Sequence, residues 1–268
     1  MKPLLVYLLL ILSLTAGAYE PQKWRMYRPK MTILANESRD GYDCSYITFR
    51  NGKKEHIKAY LLVPQGVQDN KKVPAILLLH DHGARFDIGK EKLVKPIASI
   101  LEDGVEDHIM RSSRQWTDKN FDGVYLADSL ASLGYVVLVA DALYWGERSS
   151  EDAQRWSELS YGNQQITKAV KDSIKVLKNS VNDGQKVLYD ELYSRNVIWA
   201  EKMLRDDIAS VRLLKSLSFV DSKRIGAFGF SMGAHRCWML AAFCKDVKCG
   251  VALSWMTTLD REERMKAS

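Results

Sequence analysis

The 268-residue chain has only four cysteines, Cys44, Cys237, Cys244 and Cys249, and no two of them form a C-x-x-C pair. That excludes a disulfide-built scaffold and removes the usual zinc-ribbon and redox signals. Cys244 and Cys249 are close enough to bridge a short loop. Cys237 and Cys249 fall in segments expected to be buried, so free buried thiols are the expectation. Histidine is scarce too, five in all. No run of five or more like charges exists, which argues against a nucleic-acid-binding tract. There is no internal repeat, no low-complexity linker, and no apolar run of the roughly 20 residues that a membrane span needs. What is present is an ordinary globular composition, 46% hydrophobic and 27% charged, with a net charge of +6. The length suits one domain with a substantial core.

The chain opens MKPLLVYLLLILSLTAGAYE. Lys2 gives a positive start, Leu4 to Leu14 a short apolar run, and Ala16-Gly17-Ala18 an A-x-A site. These are the three parts of a secretory signal peptide. Cleavage after Ala18 is expected, leaving 19–268 as one domain in a secreted or periplasmic setting.

Strand signals follow. Residues 45–50 and 56–63 read as a hairpin around Asn51-Gly52. Residues 73–80 (VPAILLLH), 135–141 (YVVLVAD), 224–230 (RIGAFGF) and 249–254 (CGVALS) are apolar runs suited to strands buried on both faces. Helical periodicity separates them. Ile166, Val170, Ile174, Leu177 and Val181 form one apolar stripe; Leu204, Ile208, Val211 and Leu214 form another. The order predicts an α/β fold with a mainly parallel sheet flanked by helices. The charged stretch 151–205 is longer than a crossover needs. Two readings of it are open, a lid over a site and a solvated helical hairpin.

GAFGFSMGAHRCW, residues 226–238, places Ser231 in a G-x-S-x-G pattern between a strand and a helix-compatible stretch. That is the context of a nucleophile elbow, in which Gly229 and Gly233 relieve crowding at a sharp turn. The helix that follows offers free N–H groups to a developing negative charge. One oxyanion donor would be the N–H of Met232. The other is expected from the loop after strand 73–80, LLLHDHGARFD, with Ala84 favoured and Gly83 next. His80-Asp81-His82 is also an H-x-H element of the kind that binds metals. His56 and His108 add no ligand pattern, so a histidine that braces the loop is the preferred reading over a metal site.

The segments LLLHDHGARFDIGKEK, YVVLVADALYWGERSS and RIGAFGFSMGAHRCWMLAA, taken in this order, resemble the bacterial α/β hydrolases grouped around dienelactone hydrolase and acetyl xylan esterase, in a secreted lipase or esterase branch. The similarity covers roughly residues 25–257. The resemblance implies an α/β-hydrolase fold, a Ser-His-Asp triad and no cofactor. It also implies hydrolysis of a small-molecule or carbohydrate ester, with acyl groups on plant polysaccharides as the substrate class. Dienelactone hydrolases proper use cysteine; Ser231 turns the expectation toward an esterase.

The fold's chain order is serine, acid, histidine. After Ser231 this sequence has one strand and then TTLDREERMKAS. His235, four residues on, lies one turn along the same helix, from which the serine oxygen should point away, so it is expected to be a packed or hydrogen-bonded helix residue rather than the base. Asp246 and Asp260 end no suitable strand, and Asp141 is expected to cap a turn or hold Arg148. The expectation is a C-terminally truncated family member lacking the last strands, the triad acid and the histidine, with an open sheet edge. Two alternatives stay open: a non-catalytic carbohydrate- or partner-binding relative, and a hydrolase with an unusual base or a metal at the HDH loop.

Overall fold

In the computed structural model, residues 29–51, 55–67, 72–98, 106–162 and 165–254 are described. The expected signal peptide, Gly52 of the expected hairpin turn, and Asp260 lie outside them.

The seven strands are β1 (Met31–Arg39), β2 (Tyr42–Arg50), β3 (His56–Pro64), β4 (Val73–Leu79), β5 (Val136–Ala140), β6 (Val220–Phe230) and β7 (Cys249–Leu253). They form one sheet in the order β1-β2-β3-β5-β4-β6-β7. Strands β1, β2, β3 and β5 pair antiparallel in turn. The pairs β5–β4, β4–β6 and β6–β7 are parallel. The sheet is therefore mixed: parallel in the half that carries Ser231, antiparallel in the half the sequence shows as a hairpin. Strand β1 was not among the predicted strands. Most of its side chains are exposed or half-buried, so it lacks a strong apolar pattern. Its signal is the Asp40-Gly41 turn into β2, with Gly41 at φ 83°, where a side chain would be strained.

The helices are α1 (Glu106–Asn120), α2 (Leu126–Ser132), α3 (Glu151–Tyr161), α4 (Lys168–Ser194), α5 (Trp199–Ser216) and α6 (Met232–Phe243). The central strands alternate strictly between two cores, as a pleated strand must. Ala75, Leu77, Leu79, Val136, Leu138 and Ala140 face the core made with α5 and α6. Leu78, Val137 and Val139 face the core made with α2 and the segment 93–97. This two-sided burial explains their continuous apolar runs. The stripe Leu204, Ile208, Val211 and Leu214 of α5 is buried in full.

The other stripe is only partly buried. Thr167 caps α4 by accepting a hydrogen bond from the Val170 N–H at 3.3 Å. Ile166 thus falls before the helix and is exposed, whereas Leu177 and Val181 are buried. All four cysteines are free, and Cys249 on β7 is exposed rather than buried. Strand β7 closes the sheet among the described residues, and all five of its residues are exposed. Its edge leaves backbone groups and the side chains of Val251 and Leu253 open.

Leu138, wholly buried in the centre of the sheet, is expected to cost about 2–5 kcal/mol when changed to Ala. Val187→Ala, on the exposed flank of α4, is expected to stay within about 0.5 kcal/mol. Urea unfolding of the two variants checks the contrast.

Candidate active site

Strand β6 ends at Phe230, and Ser231 turns the chain straight into α6. Ser231 has φ 54° and ψ −120°, a conformation that strains any side-chain-bearing residue by about 1–3 kcal/mol. The surroundings hold it there. Its N–H donates to the Leu253 carbonyl at 2.9 Å, and its carbonyl accepts from the N–H groups of Ala234 at 2.8 Å and His235 at 3.2 Å. Neither flanking glycine has room for a methyl group. A Cβ on Gly229 would lie 2.0 Å from the Gly233 carbonyl oxygen; one on Gly233 would lie 1.9 Å from the Leu79 carbonyl oxygen. The elbow therefore packs backbone to backbone against the end of β4, where the HDHGA loop begins. Below it, Arg236 forks onto buried Asp207 through Nε at 3.1 Å and Nη2 at 2.6 Å, clamping α6 to α5.

The loop after β4 is braced at each residue. His80 is fully buried. Its Nε2 accepts the Ala142 N–H at 3.0 Å, so the proton sits on Nδ1, which donates to the Asp81 carbonyl at 2.9 Å. Both ring nitrogens are thereby committed to backbone, and no lone pair is left for a metal. No cluster suited to a metal occurs among the described residues. Burial, with Lys92 and Arg236 adding to it, holds the His80 pKa well below the usual 6.5.

Gly83 and Ala84 both adopt left-handed backbone, φ 55° and 50°. A Cβ on Gly83 would sit 2.3 Å from the Trp116 ring. The Ala84 N–H, the favoured oxyanion donor, donates to His82 Nδ1 at 3.0 Å. Among the described residues the Gly83 N–H has no partner. The Met232 N–H heads α6, where first-turn donors have no intrahelical acceptor. The Met232 side chain joins Phe86, Tyr144 and Trp145 in an apolar wall. His82 packs edge-on against Trp145 with ring centroids 4.8 Å apart, and burial lowers its pKa.

Beneath the loop lies a polar layer that sequence reading missed. Lys90 and Lys92, which look like surface charges in DIGKEK, are fully buried. The Lys90 ammonium meets Asp141 at 2.8 Å, Glu91 at 2.8 Å and Glu147 at 3.1 Å. Burial opposes that charge, but the three carboxylates outweigh it and raise the Lys90 pKa. Lys92 forms a single, longer ion pair among the described residues, with Asp81 at 3.7 Å, and burial, outweighing Asp81, Asp87 and Asp141, pushes its pKa down to about 8. Asp141 also accepts the backbone N–H of Lys90 at 2.8 Å and of Glu147 at 3.3 Å. It thus caps turns, as expected, while Arg148 binds its backbone carbonyl and pairs with Asp206. The one readable hint was the small residues Gly89 and Gly146, each pressed against Asp141.

Among the described residues the structure does not bring the other named acid-base groups to Ser231. The His235 ring packs at a tilt against Trp238, centroids 5.1 Å apart, and Asp246 pairs with Lys215 at 2.7 Å. Among the described residues no side chain hydrogen-bonds the Ser231 hydroxyl.

The profile of the dienelactone hydrolase family matches residues 118–262, a span that includes β5, the elbow and β7. The chain belongs to the dienelactone hydrolase family. The Bacillus subtilis (strain 168) protein named "Putative hydrolase YtaP" is 26% identical over 202 residues, 74% of this chain and 48% of that protein. The crystal structure of "a putative acetyl xylan esterase" from Bacteroides fragilis NCTC 9343 has the same fold, with a TM-score of 0.60 at 18% identity. The match covers 84% of this chain and 48% of that one. An acetyl xylan esterase from Paenibacillus sp. R4 matches with a TM-score of 0.51 at 11% identity, over 92% of this chain and 60% of that one. This member of the family thus spans about half the length of the YtaP protein it matches.

Two outcomes follow from this geometry. Gly233→Ala drives a methyl into the Leu79 carbonyl and is expected to cost at least about 1–3 kcal/mol, seen as a lowered thermal midpoint. For His80 the folded pKa lies below the unfolded value, so the unfolded state gains protons first as pH falls. Its contribution is full above about pH 6.5 and is lost below it. The urea midpoint is expected to drop between about pH 7.5 and about pH 5.5, and to drop less in His80→Gln.

Proposed function

We propose that this chain carries the nucleophile and oxyanion half of a serine esterase. The observation that carries the reading is the elbow: Ser231 held at positive φ between two glycines that admit no side chain, at the head of α6. Ser231 Oγ attacks the ester carbonyl carbon while a general base takes its proton. The tetrahedral oxyanion is held by the Met232 N–H and an N–H of the turn Gly83-Ala84; one such donor is worth about 2.7–4 kcal/mol. With His82 on the Ala84 N–H, Gly83 is the open donor, and rotation of the His82 ring frees Ala84 as well. The alcohol departs with the proton, and water releases the acid.

The substrate class is a carboxylic ester of a small molecule or carbohydrate, acetyl groups on plant polysaccharides being the leading candidate. The names of the structural relatives support that class, and so does the aromatic wall of Phe86, Tyr144 and Trp145. The stretch 151–205 acts as a lid or wall over this site. Support comes from the Tyr144 hydroxyl, which donates to the Val181 carbonyl at 2.8 Å, and from Trp156, Leu177, Val181 and Met203, which share one apolar cluster with Met232. Residues 1–18 are a cleaved leader in this reading, and the mature enzyme works outside the cytoplasm.

Among the described residues no side chain hydrogen-bonds the Ser231 hydroxyl, and a serine that works without a base loses several orders of magnitude. A fluorophosphonate probe and p-nitrophenyl acetate turnover test the reading. Slow labelling and slow turnover are expected, both abolished in Ser231→Ala. Chelator-sensitive turnover that survives Ser231→Ala would sink it in favour of a metal, and xylan binding with no labelling would sink it in favour of a binding protein.

A further inference from the structure

Lys92 is a fully buried cation whose one ion pair among the described residues, with Asp81, is 3.7 Å long, beyond hydrogen-bond distance. Lys90, two residues away, has three. A buried charge without a close partner is costly, so its hydrogen bonds indicate what it is held for. The Lys92 ammonium donates to the carbonyls of two consecutive loop residues, Asp81 at 3.0 Å and His82 at 2.9 Å. It also lies over the Trp116 ring at 5.0 Å, and the same ring fills the space where a Gly83 side chain would be. The His82 carbonyl takes a second donor, the Trp145 indole N–H, at 3.0 Å.

That carbonyl belongs to the peptide unit whose N–H is that of Gly83. Donors on an amide oxygen draw electron density from its nitrogen and make the N–H a stronger donor in turn. We infer that Lys92 is a positioning residue for the oxyanion loop: with Trp145 it fixes and polarises the His82–Gly83 peptide, so that the Gly83 N–H, which has no partner among the described residues, meets the developing oxyanion. This rests on the proposed serine chemistry for its purpose, but the hold on the loop can be tested without it.

The full chain is compared with Lys92→Met, which keeps the stem and removes the donors. Amide hydrogen exchange over residues 81–86 is expected to quicken at least about tenfold in the variant, with strand β4 unchanged. Fluorophosphonate labelling of Ser231 is expected to slow about tenfold while still reaching full stoichiometry, since weakening one oxyanion donor acts on the rate. A merely structural role would instead lower the fraction labelled and leave the rate constant of the remainder alone. If Lys92→Met does not fold, Trp145→Phe, which removes only the second donor on the His82 carbonyl, is expected to shift both readouts in the same direction. Unchanged exchange over 81–86 overturns the inference. A wild-type chain that never labels defeats the serine reading instead, and exchange alone then decides Lys92.

Discussion

The contact between Gly233 and the carbonyl of Leu79 governs how this site is built. A Cβ on Gly233 would meet that oxygen at 1.9 Å, so the first turn of α6 touches the end of β4 with nothing between them. Close backbone packing of this kind admits one residue type and one distance. It sets the serine turn directly beside the loop that starts at His80. The strained φ of Ser231 is tolerable because the helix start, the Leu253 carbonyl and this contact all fix the same geometry.

Below that contact the molecule accepts a buried polar layer where a hydrophobic core would cost less. Lys90, Lys92, Asp141 and His80 are each almost wholly shielded from water. Lys92, Asp141 and His80 each donate to or accept from loop backbone, and the Lys90 ammonium holds the Asp141 carboxylate in place. Loops after parallel strands have no ladder partners of their own, so their carbonyls and N–H groups must be satisfied by side chains. The layer meets that need for two loops together, the one after β4 and the one after β5, with Asp141 as the shared acceptor. The aromatic wall above it ties the same loops to the helical stretch through Tyr144 and Val181.

Much of the fold was legible because burial on two faces leaves a plain mark. Leu77, Leu138 and Ile225 sit in runs with no polar relief, and each is a core residue of a central strand. Strand β1 was not legible, since an edge strand with half-exposed faces needs no apolar alternation. Cys249 was misplaced for the mirror-image reason: an apolar run marks a strand, and it does not say whether a neighbour covers it.

The sequence by itself determined the elbow. G-x-S-x-G between an apolar strand and a helix has few other uses, because the two glycines are demanded by local sterics that neighbours in sequence impose. Only the tertiary structure decided what the charged residues of DIGKEK do. Whether a lysine is solvated or buried depends on carboxylates and carbonyls contributed by segments far away in sequence, here Asp81, Asp141 and Glu147. The same holds for His80 and His82. Their spacing allowed a metal site, and it was the backbone N–H groups of Ala142 and Ala84 that claimed their lone pairs.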